Sequence, residues 1–162
     1  MFVCSVRAST LKFFVIVGVT LAILLVLVSM DGAGTVYASA DGITVNYGGM
    51  RTNEDRVEFI ESFGIKVKDE PVTEELFSAP DSFDRVIAGY NEIQKSQGLD
   101  LTKYTGKRIT HYAYEVENYD AEGKVYVNLL VYKNRIVACD VSSTSGEGFV
   151  LPLVGLDTSK LK

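Results

Sequence analysis

Few residues in this 162-residue chain combine type and spacing in a way that could do chemistry. His111 is the only histidine, so a histidine-based metal site or a Ser-His-Asp triad would have to replace the missing imidazoles. It lies in a stretch of period-two alternation, on one face with Ala113, Glu115 and Glu117 and opposite Tyr112, Tyr114 and Val116. That pattern marks a solvated or partly covered sheet residue, although His111 with Glu115 could sense pH near the ordinary imidazole pKa of about 6.5. Cys139 alternates with Val137 and Val141, the place of a small buried hydrophobe. A reactive thiol there would need a neighbouring cation, for which Lys133 or Arg135 is the available choice.

The carboxylates gather in two sets. Glu54, Glu58 and Glu61 share one side of an expected helix, and Glu115, Glu117, Asp120 and Glu122 cluster near an expected hairpin turn. Paired carboxylates can do acid/base work or hold calcium, but neither set has the loop spacing of a calcium site, so both read as solvated faces. Of the nine tyrosines, Tyr112, Tyr114, Tyr126 and Tyr132 recur in the strands, where a ring with a polar tip suits either half-buried packing or a protein-binding surface. These four are the candidate interaction residues. No catalytic set, metal site or cofactor is expected, and the chain reads as a non-enzyme.

Charge narrows the partners. The net charge is −5, and from Asp31 onward fourteen basic residues face twenty-one acidic ones, a balance of −7 that repels phosphate backbones. Nucleic acid is not an expected partner. Residues 13–30, FFVIVGVTLAILLVLVSM, are uncharged and mainly apolar, close to the roughly 20 needed to cross a hydrocarbon core. Arg7 and Lys12 before the run and Asp31 after it orient a single-pass helix with its N-terminus inside and the rest extracytoplasmic. The competing reading is a signal peptide cleaved near Ala40, after Val36-Tyr37-Ala38-Ser39, which would release a secreted domain. Cys4 and Cys139 stand on opposite sides of the run and define no disulfide framework.

The elements that must position these residues follow from periodicity. Residues 1–12 form a cytoplasmic tip, 13–30 the transmembrane helix, 31–50 a juxtamembrane linker with a short strand at 43–47, 51–150 the domain and 151–162 a tail. Thr52 and Asp55 suggest a capping box for a helix carrying Val57, Phe59, Ile60 and Phe63, closed by Gly64. Asp81 or Ser82 would cap a second helix with Phe83, Val86, Ile87, Tyr90 and Ile93 inward, ending at Gly98. Between them, 65–77 offers one or two short strands or an extended arm. Three alternating runs, 108–118, 124–132 and 135–142, predict an antiparallel meander with turns at 120–123 and Lys133-Asn134. The expected fold is α+β, with two helices on one face of that sheet.

The blocks TNEDRVEFIESFGIKV, YNEIQKSQGLDLTKYTGK, YAYEVENY and VNLLVYKNRIVACDVSS, with the opening MFVCSVRAS, resemble an uncharacterised bacterial family, domain of unknown function 4830, found behind an N-terminal membrane anchor. The resemblance spans about residues 51–149 and implies architecture and location, since the family brings no activity with it. The chain departs from the family pattern at Lys133-Asn134, where relatives tend to carry Asp-Gly, and at Ser142, where they tend to carry a cysteine; a role resting on that cysteine is not expected here. More loosely, the C-terminal half is similar to PepSY-type extracytoplasmic domains. The resulting expectation is a binding or sensing module of the bacterial envelope with a protein or peptide partner. The alternative is an accessory subunit assembling through its membrane helix, where Gly18 and Ala22 sit at small-xxx-small spacing. Nothing in the pattern sets an oligomeric state.

Overall fold

A hairpin turn of Lys133 and Asn134, both at positive φ (46° and 62°), joins the strands Val125–Tyr132 and Arg135–Ser143. This is the two-residue turn whose twist matches that of the strands it connects, and Asn tolerates the left-handed conformation. The structure is a computed structural model and describes residues 37–40, 43–146 and 148–162. The apolar run 13–30 lies outside them. Among the described residues no helix is long and apolar enough to cross a membrane.

The elements in order are β1 (Tyr37–Ala40), β2 (Ile43–Asn46), α1 (Asn53–Glu61), β3 (Thr73–Ser78), α2 (Arg85–Ser96), β4 (Arg108–Glu115), β5 (Val125–Tyr132), β6 (Arg135–Ser143) and β7 (Val150–Pro152). β1 and β2 pair antiparallel as a separate ribbon, and the other strands form an antiparallel sheet in the order β3-β4-β5-β6-β7. The expected meander is its centre. β3, drawn from the ambiguous 65–77 region, extends it on one side, and β7 extends it on the other. The α+β class holds with five strands in the sheet instead of three.

α1 begins as expected. Thr52 accepts the Asp55 N–H at 3.2 Å while Asp55 Oδ2 accepts the Thr52 N–H at 2.7 Å, a reciprocal cap worth about 1 kcal/mol. Gly64 closes the helix at φ 79°. α2 differs from expectation: its cap is Asp84, which accepts the Ile87 N–H at 2.8 Å, so Phe83 precedes the helix. Val86 is 79% exposed, and the buried positions of this helix are the polar Asn91 and Gln94.

The two-layer expectation also needs correction, because the meander strands carry apolar residues on both faces. Phe59 and Ile60 of α1 pack on one face with Tyr114, Val127, Leu129, Ile136 and Val141. Phe83 and Tyr90 pack on the other with Ile109, Leu130 and Ala138. Each face therefore takes one helix. The core also reaches beyond the boundaries drawn at Arg51 and Val150: Tyr47, Met50, Leu153 and Val154 are all buried in it, so the linker and the tail both contribute core side chains.

Candidate functional site

The second face carries a row of polar side chains that period-two pairing brings into line. Asn128 of β5 stands opposite Ala113 of β4 and Asp140 of β6, and so projects on the same side of the sheet as both. Asp140, 4% exposed, accepts the Tyr90 hydroxyl at 2.7 Å on Oδ1 and the Asn128 amide at 2.8 Å on Oδ2. The same amide donates to Ser142 Oγ at 2.8 Å, and Asn128 Oδ1 lies 3.0 Å from His111 Nε2.

The electrostatics follow from burial. Loss of water raises the Asp140 carboxyl above its ordinary value, while the bonds from Tyr90 and Asn128 and the nearby His111 pull it back. Burial, and then the charge of Asp140, push the Tyr90 phenol well above its ordinary value, which keeps it a donor. A carboxylate has no proton to offer, so Asn128 must turn its amide nitrogen toward Asp140 and its oxygen toward His111. His111 Nε2 therefore carries a proton. Asn128 separates the carboxylate from the imidazole, so the pair is not the directly bonded Asp-His couple that activates a nucleophile.

Beside this row lies a pocket of about 270 Å³. Phe77, Ala79 and Pro80 wall it at the C-terminal end of β3, Phe83, Ile87 and Tyr90 on the α2 side, and Leu101, Ile109 and Leu130 at the base. Tyr90 joins the two features, with its ring in the pocket wall and its hydroxyl on Asp140. Phe77, Phe83, Ile87 and Leu130 are only half-buried, so the pocket presents apolar carbon to solvent.

The four candidate tyrosines do not form one surface. Tyr112 and Tyr114 face α1: the Tyr112 ring lies under the Arg56 guanidinium, 3.8 Å from its centroid, and the Tyr114 hydroxyl accepts from Arg56 Nε at 2.8 Å and donates to Asn53 at 2.9 Å. Tyr114 is fully buried. Tyr126 and Tyr132 belong to the other face, where Tyr132 meets Tyr104 edge to face at 5.6 Å. Alternation fixed these sides, and only the helix positions decide which are covered.

Cys139 is fully buried, as its alternation implied, and burial drives its thiol far above the ordinary value. Its Sγ donates to Gln97 Oε1 at 3.5 Å. His111 is half-buried at Asn128 and does not bond Glu115. Glu115 instead accepts Lys68 at 3.1 Å and Lys124 at 3.0 Å, and these bonds hold its carboxyl below the ordinary value. Glu54, Glu58 and Glu61 are exposed along α1. Among the described residues no group of histidine, cysteine and carboxylate side chains is placed to hold a metal ion. Sequence reasoning passed over Asp140 and Asn128, although an Asp inside IVACDV and an Asn inside VYVNLLVY are the polar interruptions that could have marked them.

A family model described as domain of unknown function (DUF4830) matches residues 59–141, about half of the chain, and the chain belongs to that family. The match is to this family and not to the PepSY type. No curated protein and no solved structure matches the chain. The matched span includes α1 from Phe59, both strand pairs of the meander, α2, and the whole of the Asp140 row except Ser142.

Proposed function

We propose that this chain is a non-enzymatic binding module of the bacterial envelope, tethered by residues 13–30 with its domain outside, and that the pocket beside Tyr90 seats an apolar group of a protein or peptide. The observation that carries the reading is the pocket itself: half-exposed Phe77, Phe83 and Ile87 surround a space of about 270 Å³, just under the roughly 300 Å³ at which small-molecule sites begin and therefore suited to one side chain. Asp140 beneath it is already committed to Tyr90 and Asn128, which suits a rigid wall better than a proton shuttle. The charges around the apolar run support the outward orientation.

One variant tests both halves. Val86 is the most exposed large apolar residue described, beside Ile87 on α2, whereas the native Cys139 is buried away from reagents. Val86→Cys in intact cells should react with a membrane-impermeant maleimide, and a photoactivatable maleimide on it should give a discrete protein adduct. Labelling only after lysis would overturn the topology. Turnover of an envelope substrate by the purified domain, abolished by Asp140→Asn, would overturn the non-enzymatic reading.

A further inference from the structure

We propose that the partner binds by adding an antiparallel strand to the outer edge of β3, and that it is an extended cationic segment of the form apolar-x-basic-basic. The proposal rests on the pocket reading above and extends it along the neighbouring strand.

β3 is the terminal strand of the sheet. Its register with β4 and the Ala79 N–H bond to Lys107 C=O, at 2.8 Å, direct the peptide groups of Thr73, Glu75 and Phe77 toward β4. Alternation then turns those of Glu74 and Leu76 outward, with no strand to receive them. A chain laid along this edge can take those bonds at the usual spacing of about 4.8 Å.

Chemistry selects which chain fits. Asp69, Glu70, Glu74 and Glu75 are all exposed, and among the described residues none forms an ion pair. Glu75 projects on the face of the pocket and Glu74 on the other, so a matching strand needs adjacent basic residues, one for each face. A second copy of β3 would bring its own glutamates against these, which counts against self-pairing. Leu76, 50% exposed, gives the incoming strand an apolar neighbour on the face of Glu74, away from the pocket. Phe77 completes the register, because it is both a β3 residue and a pocket wall. A residue opposite Phe77 lies on the pocket face. Read from its N-terminus, an antiparallel partner therefore presents an apolar group opposite Phe77, a residue opposite Leu76, and then two basic residues opposite Glu75 and Glu74.

The test uses the full chain in detergent micelles and a fluorescein-labelled peptide, acetyl-TFVKKTV-amide, read by anisotropy. Binding should weaken at least tenfold with TFVEETV, with Leu76→Pro and with Glu74→Lys/Glu75→Lys. Proline at 76 removes only an outward N–H, and the charge-reversal pair leaves the backbone intact should proline perturb folding. Loss of binding with TSVKKTV but not with Leu76→Pro would leave the pocket standing and overturn strand addition. The reverse pattern would keep strand addition and overturn the pocket. No binding of TFVKKTV, or a dimer of the free protein that Leu76→Pro dissociates, would overturn the proposal outright.

Discussion

The two sides of the sheet treat their exposed peptide groups in opposite ways. β6 is longer than the β7 that pairs with it, and three separate pieces of chain together cover its outer side. The segment before α1 closes its start, where Ile136 N–H donates to Tyr47 C=O at 2.8 Å and Met50 N–H to Asn134 C=O at 3.0 Å. β7 pairs with its end, at Asp140 to Ser142. Between them two side chains of the α2 terminus stand in for a strand: Cys139 N–H donates to Gln94 Oε1 and Gln97 Nε2 donates to Cys139 C=O, both at 2.9 Å. Gln97 Oε1 also accepts the Val154 N–H at 2.9 Å, linking this seal to the segment after β7. β3 has no such cover, and its protection is limited to charge and to the flanking Pro71 and Pro80. The fold seals the outer side of β6 with buried amides and leaves that of β3 bare and acidic.

Paired proline substitutions should break this comparison most visibly. Ile136→Pro removes the donor that Tyr47 C=O accepts from and shrinks a fully buried side chain, and should cost about 3 to 5 kcal/mol in urea unfolding. The next largest effect belongs to Gln97→Ala, which leaves the Cys139 carbonyl and the Val154 N–H buried without partners; a loss of about 3 kcal/mol or less is expected in the same assay. Leu76→Pro, on the bare side, should change stability by no more than about 1 kcal/mol, since edge strands tolerate proline where the N–H faces solvent.

Asp140→Asn sharpens the contrast through pH. The folded state raises the Asp140 pKa, so this carboxyl adds stability that is full below its unfolded value of about 3.8 and is lost as pH rises through the raised folded value. The wild type should therefore gain on the Asp140→Asn variant as pH falls toward 4, measured by urea unfolding at a series of pH values. In the variant the new amide can donate to Asn128, which then turns its oxygen inward and presents its amide N–H to His111. The imidazole should move its proton from Nε2 to Nδ1, a change visible in the nitrogen shifts of the ring.

Local chemistry made much of this legible in advance. The capping box of Thr52 and Asp55 and the turn at Lys133-Asn134 depend on neighbours in sequence, and each stands where the pattern put it; Cys139 is buried as expected, but in a strand buried on both faces whose alternation breaks at a bulge at Val137. What escaped depends on distant partners. Gln94 and Gln97 look like solvent positions of an amphipathic helix until β6 is placed beside them with unpaired peptide groups. The same geometry leaves Val86 outside, because α2 meets a strand border with one stripe and a pocket with the other. Asp140, Asn128 and Tyr90 come from β6, β5 and α2, so no spacing within any one of them announces the row.

Core closure by residues from both ends of the domain has a consequence for its birth on the ribosome. Val45 and Tyr47 enter early and Leu153 and Val154 late, yet all four lie in one cluster, and Leu161 bridges back to Tyr119. A nascent chain stopped after Gly148 has the meander but lacks β7 and the Val154 N–H that donates to Gln97 Oε1. Such a chain should remain sensitive to a brief protease pulse, while one extended past residue 162 on a linker should resist it. That difference would mean that folding of this domain waits until synthesis has passed beyond its final strand, and that the growing polypeptide stays pliable for as long as it is being made.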